Sequence, residues 1–545
     1  MDNSSPPRTG SKPHWFRTWK LPLAIWTAAS AFIVYIALND ETFADGGMRV
    51  LMYFSAVGGA FILTSAWFGL LSSFSKVVRQ RVVLAEVLSV GLFFALFKIQ
   101  SVGGNIWPPH IVPRWWSYGD YKLAKPTVAD APPSASLPGL ADYSAFLGPN
   151  RHAVVTGIKL ARDWDKQPPR QVWRQPIGAG WSAFSVVGTA AVTQEQRGDE
   201  ELVVCYDVPT GKVRWAHADA GRFESILGGD GPRATPTIQD GRVYTVGSTG
   251  ILNCLDLATG LPVWKTRNVI EDVGSTKELE ATAVGWGRAG SPLIVDDRVI
   301  LPGGGSPLPT ALEGKYVSLI AYDKNTGEKV GTGGDQQISY SSPSLFTLDG
   351  VRQIVIVNET TITGHDATTL KTLWSYPWLG GSSSNASAPQ TQQVRPDTLF
   401  VSKGYGVGAA LFKVSRDNDW SVKEIWHNIL VLRTKFSNCV ISGDHVYGLD
   451  DGTLECVELA TGKKLWKNGR YGSGQLLLAG DVLLVQAEEP GDIVLVEDNP
   501  KKFVELTRMK ALEAKTWTNP TLAGRYLLIR NAEEAACYEL PVMEE

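Results

Sequence analysis

The chain has 545 residues, 44% of them hydrophobic, with 55 glycines, 31 prolines and a formal net charge of −3. Such a length can bury a large core. The glycines and prolines ask for many turns, hence an all-β body over a helical one, and the near-neutral charge removes the electrostatic case for nucleic acid.

Residues 1–20 form a basic tail carrying Arg8, Lys12, Arg17 and Lys20. An apolar run at 21–38 is long enough to span a bilayer. An acidic loop with Asp40, Glu41 and Asp45 follows, then a second run at 49–71 whose Gly58, Gly59 and Ala60 suit close helix packing. Lys76, Arg79 and Arg81 make a basic loop before a third, weaker run at 82–97. Three transmembrane helices are therefore expected within 21–98. The basic tail and basic loop belong in the cytoplasm and the acidic loop outside. The reading is a multi-pass protein of the cytoplasmic (inner) membrane with everything after Lys98 periplasmic. A cleaved signal peptide competes for the first run, but two further runs and the lack of a small-x-small cleavage site weigh against it. Glu86 lies near the start of the third run, where it can reach the headgroups, and reads as structural.

Residues 99–164 read as linker and lead-in. Ile106–Trp116 mixes Pro with aromatics, as where a chain leaves the membrane interface. Residues 125–140 are rich in Pro, Ala and Ser and so extended, and the irregular stretch 142–168 holds Trp164, expected to cap the β domain.

From residue 165 a module recurs. Cys205-Tyr-Asp-Val-Pro-Thr-Gly-Lys-Val-Arg-Trp215 is echoed by Cys254-Leu-Asp-Leu-Ala-Thr-Gly-Leu-Pro-Val-Trp264 and Cys456-Val-Glu-Leu-Ala-Thr-Gly-Lys-Lys-Leu-Trp466. The copy from Ala321 to Gly331 lacks the Trp, and the copy from Gly364 to Trp374 lacks the Gly. Module ends fall at Trp173, Trp215, Trp264, Gly331, Trp374, Trp426 and Trp466 and near Leu506 and Val542, a period of roughly 40–50 residues that marks a repeat architecture. One module shows the plan. Ala234–Ile238, Arg242–Val246 and Leu252–Asp256 are strands, Val263-Trp264 begins a fourth, and Asp240-Gly241 and Thr259-Gly260 are the turns. Four antiparallel strands per module predict an eight-bladed β-propeller over 165–545. The last module has three strands of its own, and Gln171-Val-Trp173 is expected to supply the fourth and close the ring. Cys205, Cys254, Cys456 and Cys537 occupy one strand position in separate modules, so they and Cys439 read as buried free thiols. The seven histidines show no metal-ligand spacing.

These residues resemble the PQQ-like propeller family, whose tryptophan-docking motif reads Ala-x-Asp-x-x-x-Gly-x-x-x-Trp. The run Ala145-Phe-Leu-Gly-Pro-Asn-Arg151 is similar to a bacterial subfamily of PQQ-binding-like repeat proteins. The resemblance implies the fold, and it implies two kinds of function. One is a non-catalytic propeller, like the lipoprotein of the outer-membrane β-barrel assembly machinery. The other is a quinoprotein dehydrogenase, with pyrroloquinoline quinone and calcium in the central channel and electrons passed to membrane quinone. This chain has no adjacent cysteine pair and no large insertions, and no calcium-binding or catalytic carboxylate set aligns onto it.

Propeller topology puts the one-to-two and three-to-four turns on one face, and here they are short. The long connections, Gln194–Glu201, Ala216–Pro232, Lys265–Gly287, Gly303–Lys315, Ser375–Ser384 and His427–Arg433, fall on the other face, where binding is expected. Ser182, Arg233, Arg288, Tyr340, Asn385, Lys435 and Trp517 lead into the inner strands and should ring the channel mouth there. Two readings of its cations stand side by side. They attract a carboxylated ligand or an acidic partner surface, or they pair with the loop acids Glu224, Asp230, Glu278 and Glu280. Nothing assembles a catalytic triad, a phosphate loop or a haem motif, and Asp199, Glu200 and Glu201 read as a hairpin tip. The expected function is a membrane-anchored scaffold for an envelope protein or a small anionic ligand, with the dehydrogenase as the alternative. Polysaccharide binding by Trp286, Trp378 and Tyr405 is a third reading.

Overall fold

A computed structural model describes residues 19–38, 46–99, 111–116, 119–128, 134–225, 227–305, 316–379 and 386–543. The basic tail before Trp19, the acidic loop, most of the Gly303–Lys315 insertion and the candidate Asn385 lie outside them. The chain divides into two compact units, Met1–Trp116 and Ser117–Glu545.

The first unit contains helices α1 (Lys20–Leu38), α2 (Gly46–Leu71) and α3 (Lys76–Leu96). Among the described residues, only α1 and the Met52–Leu71 part of α2 are long and apolar enough to cross a membrane. The third helix, at 21 residues, is long enough but carries too many charges, because it starts earlier than expected and also holds Glu86. Lys76, Arg79 and Arg81, read as a loop, form its first two turns. Ser75 caps α3 by accepting from the Val78 N–H, and the Arg79 guanidinium donates to the Leu70 carbonyl at 2.8 Å, closing the C-terminal end of α2. The two helices are thus an antiparallel hairpin, with Gly69 against Val83.

The second unit is the expected propeller. Its blades run Ser185–Ala220, Thr237–Asn268, Leu293–Gly333, Ser344–Pro377, Gln392–Asn428, Val440–Arg470 and Gln475–Leu512, and the eighth joins Thr521–Glu539 to Arg170–Pro176. In that last sheet Trp173 pairs with Cys537 and Arg170 with Glu539, so the N-terminal strand closes the ring. The buried faces are Val, Leu and Ile of alternating strands, packed blade against blade. Hydroxyls on the inner strands tie neighbouring blades: Ser185 donates to the Pro236 carbonyl, Thr237 to Pro292 and Thr521 to Phe184, at 2.6 to 2.7 Å. All five cysteines are buried and free.

The repeated motif is a docking device. Its Asp accepts from the backbone and hydroxyl of the turn, as Asp256 does from the Ala258 and Thr259 N–H groups and the Thr259 hydroxyl. The Gly then takes a positive φ of 71° at Gly260, open to it because it has no Cβ. The indole of the previous blade lies on that bare backbone. A Cβ on Gly211, Gly260, Gly327 or Gly462 would stand 2.8, 2.5, 2.7 and 2.6 Å from the rings of Trp173, Trp215, Trp264 and Trp426 respectively. Each of these indole N–H groups donates to a backbone carbonyl of the next blade: Val208, Leu257, Lys324 and Leu459. The two irregular copies compensate one another. The blade that ends in Gly331 faces the blade whose turn carries Leu370, and the leucine side chain occupies the space a tryptophan would fill.

Residues 119–164 do more than lead in. A strap runs along blade one, where Tyr121 donates to Asp199 at 2.7 Å, Asp120 pairs with Arg222 at 2.7 Å and the Ser134 hydroxyl donates to Asp207 at 2.7 Å. The chain then crosses the short-turn end of the channel. Tyr143 bridges Val186 in blade one, the Ser144 carbonyl accepts from Ile238 in blade two, and Val154-Val155 adds a fifth, parallel strand to blade seven. Trp164 is buried in the core of blades seven and eight.

Substituting Gly260→Ala forces a side chain into both a positive φ and the Trp215 ring. A loss of about 3 kcal/mol is expected, from strain plus overpacking, read as a lower midpoint in urea or thermal unfolding. Gly241→Ala, whose Cβ meets nothing within 4 Å, should cost less.

Candidate functional site

The one-to-two and three-to-four turns do share the short face, and the mouth lies at the other end of the inner strands. One expected long loop is not a loop. Gln194–Glu201 is the tip of a long hairpin, strands Ala190–Arg197 and Glu200–Asp207 around Gly198-Asp199.

The cations expected at the mouth are already engaged. Arg233 donates to the carbonyls of Gly228 at 2.7 Å, Gly229 at 2.6 Å and Gly231, and lies 4.7 Å over the Phe223 ring. Burial pushes its pKa down to about 10. Arg288 is buried, paired with Glu280 at 2.7 Å and donating to the Pro302 and Gly303 carbonyls, so it pins the short helix Lys277–Ala283 onto blade three. Lys435 is half-buried against Gly404. For Arg288 the pairing with a loop acid holds, and for Arg233 the loop carbonyls play that part. Ser182 is fully buried, its oxygen accepting from the Gln194 N–H.

What these side chains leave at the mouth is aromatic. Trp517 packs against Trp181 at 5.1 Å and Phe436 at 4.7 Å, and its N–H donates to Glu488. The Trp181 N–H donates to the Gly228 carbonyl, and a Cβ on Gly228 would meet Trp286. Trp286 stacks on Tyr340 at 5.0 Å and 20°, and burial pushes the Tyr340 hydroxyl up to about 12. Half-buried rings therefore lie in two groups, Phe436, Trp517 and Trp181 leading into blades six, eight and one, and Trp286 and Tyr340 leading into blades three and four, with Gly228 between them. Exposed aliphatics stand on the loops around them: Leu227 at 42%, Leu379 at 69%, Ile429 at 56% and Leu430 at 65%. Trp378, by contrast, is buried inside blade four and reaches no polysaccharide.

Buried charges escaped the sequence reading. Glu455 is fully buried and its carboxylate accepts from the Leu432 N–H at 2.7 Å, holding the loop that carries Ile429 and Leu430. Burial pushes its pKa up to about 7, with nearby Asp450 adding to the rise. Asp450 binds Arg433 at 2.8 Å and Lys467. Fully buried Lys403, near the same mouth, is pushed down to about 8 by burial. Arg530 closes the ring, donating to the carbonyls of Gly178, Gly180 and Gln194 from blade eight into blade one. An isolated Glu, Lys or Arg in a strand carries no pattern to separate it from a surface charge.

The quinone and calcium implied by the resemblance meet a poor donor set. Among the described residues no group of three or more His, Cys, Asp or Glu side chains could hold a metal ion, and Glu280 and Glu488 are occupied by Arg288 and Trp517. The residues present do not fit calcium.

Eight four-stranded blades, a strand that closes the ring and indoles docked on Thr-Gly turns define a PQQ-like repeat β-propeller. The profile of the family described as outer membrane protein assembly factor BamB matches residues 162–330 and again 277–502, together more than half of the chain, and the chain belongs to that family. No curated protein matches it. Among solved structures, BamB from Moraxella catarrhalis is 16% identical, with a TM-score of 0.49 over 68% of this chain and 100% of that one. A quinohemoprotein alcohol dehydrogenase from Comamonas testosteroni is 13% identical, with a TM-score of 0.50 over 74% of this chain and 81% of that one. Such identities show a shared fold, not a shared chemistry.

Glu455 makes the mouth loop pH-sensitive. Its folded pKa lies above that of a free carboxyl, so its contribution is full below about pH 4.5 and is lost as pH rises through 7. Stability should fall by about 2 kcal/mol between pH 5 and 8 from this group, with Asp450, Arg433, Lys464 and Lys467 facing it. Glu455→Gln, which keeps an acceptor for Leu432, should flatten that slope in denaturation measured across the range.

Proposed function

We propose that this protein is a membrane-anchored scaffold whose long-loop face holds a protein partner. The carrying observation is the two groups of aromatic rings with exposed Leu and Ile on the loops around them. Rigid aromatics beside aliphatics, with the cations neutralised at home, match the composition of protein-binding hot spots more closely than an anion site at this mouth. Membership of a family described by an assembly factor accords with that reading. The dehydrogenase reading rests on fold alone.

A photo-crosslinking side chain at Leu430 in native membranes should yield one reproducible protein adduct, weakened at least tenfold when Ile429 and Leu379 are both changed to Asp, roughly 1.4 kcal/mol of binding. The same probe at exposed Lys463 on the outer rim should give none. No adduct from Leu430 under varied growth conditions would remove the scaffold reading.

Three crossings, and so a propeller on the side opposite the tail, belong to the same proposal. The apolar part of α3, Val82–Leu96, is fifteen residues, about 22 Å at 1.5 Å each, short of a core of about 30 Å. Lys and Arg side chains at its start can snorkel to close that gap, and the hairpin with α2 draws α3 in alongside a crossing helix. The buried native thiols allow a clean test. A membrane-impermeant maleimide on sealed spheroplasts should label Lys463→Cys and spare Ser11→Cys until lysis. Both labelled together, or both spared, would mean that α3 does not cross.

A further inference from the structure

The chain enters the propeller at its long-loop face. The Gly198-Asp199 tip between the second and third strands of blade one lies on that face, and so does Arg222 in the connection Ala216–Pro232. These residues hold the start of the strap. The Arg222 guanidinium donates to Asp120 and to the Gly198 carbonyl, both at 2.7 Å, and lies 4.6 Å over the Tyr121 ring. Tyr121 donates to Asp199 at 2.7 Å, Lys125 to Glu200 at 2.9 Å, and Arg197 to the Ala124 carbonyl. The Asp120 side chain is only 3% exposed. The far end of the strap lies at the short-turn face. There Val128 bridges Val213, and Ser134 donates to Asp207, which also accepts from the hydroxyl of the Thr210-Gly211 turn.

This clasp decides which face of the propeller the anchored chain leaves from. A free strap would release about fourteen residues, Asp120 to Ser134, or up to about 50 Å of extended chain. The eight-residue strand Glu200–Asp207 beside it is only about 27 Å long, so an unclasped propeller can present either face. A clasped one cannot, because little chain precedes the clasp. Phe97–Ile99 pairs with Ile111–Pro113, and the Arg114 N–H donates to the Leu96 carbonyl, which returns the chain to the end of α3. From Arg114 to Asp120 is at most about 20 Å of extended chain. A folded soluble domain of roughly 100 residues, with a radius of gyration of about 13 Å, is thicker than that tether is long.

We propose that the partner taken by the long-loop face is a protein embedded in the same membrane as α1 and α2, met where it reaches the lipid surface, and that the Arg222 clasp is what turns this face to it. The inference deepens the partner reading and rests on it. The aliphatics Leu227, Leu379, Ile429 and Leu430, exposed on the loops of that face, give such a partner an apolar contact. The inference holds whichever side of the membrane the propeller occupies, because the clasp belongs to the propeller itself.

The test uses the full-length protein in phosphatidylcholine vesicles, a fraction of whose headgroups carry a nitroxide quencher. The native thiols are buried, so one dye can be set on Leu430→Cys or on Asp444→Cys, an exposed position in the short turn at the opposite end of blade six. Quenching at Leu430→Cys should exceed that at Asp444→Cys at least twofold. Changing Asp120→Asn, Tyr121→Phe and Lys125→Gln together should bring the two values together. The protein cross-linked through Leu430 should also stay in carbonate-washed membranes of cells that lack this propeller. Equal quenching at the two positions, or stronger quenching at Asp444→Cys, overturns the inference and leaves the Leu430 adduct standing for the scaffold. So does a difference that survives cutting the clasp, or a partner that carbonate removes. No adduct at all removes the scaffold reading, and this inference with it.

Discussion

Everything in this propeller depends on an indole lying on a glycine that has no side chain to keep it away. The Asp at the head of the motif fixes the turn, the turn demands a positive φ, and the bare backbone at that point is the floor for the Trp of the previous blade. The pair does not exist within one blade, so each module is stable only against its neighbour, and the ring must close on itself. That is why the first strand of the domain, Arg170–Pro176, is spent on the last blade. It also explains how the motif tolerates error. A missing Trp at Gly331 and a missing Gly at Leu370 face each other across one interface, where one change makes the room that the other fills.

The repetition that makes the fold is what made it legible. A spacing of eight from acid to Trp, repeated with Asp-Gly and Thr-Gly turns, fixes blade number, strand count, closure and the identity of the short face, and the structure has all of these. The site was less readable because repetition says nothing about residues that occur once. The partners of Arg233 and Arg288 are carbonyls and a carboxylate supplied by loops of no pattern. The aromatic groups were visible only in Trp517, Tyr340 and Trp286 singly. Phe436 and Trp181 join them through geometry that strand order alone does not fix. Trp378 misled because an exposed and a buried tryptophan look alike in sequence. In the membrane unit, a helix start was misread. Basic residues suit a loop, but they also suit the first turns of a helix when one of them, Arg79, can cap the helix before it.

The lead-in shows the limit of reading a segment by composition. Pro, Ala and Ser suggest a loose tether, and 119–164 has few strands of its own. Its order comes from the ring it crosses. The inner strands present unpaired edges, and an irregular segment with positive-φ turns can follow those edges around a curve that a regular strand could not. The Leu-Gly-Pro-Asn-Arg run is the part that turns, which is why it stands out in an otherwise plain stretch.

Charge is handled by one rule across the molecule. Where a cation is buried, the chain itself supplies the oxygen: Glu280 for Arg288, Asp450 for Arg433 and Lys467, loop carbonyls for Arg233. Such pairs contribute little net stability, because desolvation offsets attraction, but those of Arg288 and Arg433 join a long loop to a blade and so hold the loop in one shape. A mouth whose cations are internally satisfied attracts charged molecules weakly over distance. Its selectivity then comes from the fit of aromatic and aliphatic surface at contact, and this makes the stiffness of the loops, more than their charge, the property on which recognition at that face depends.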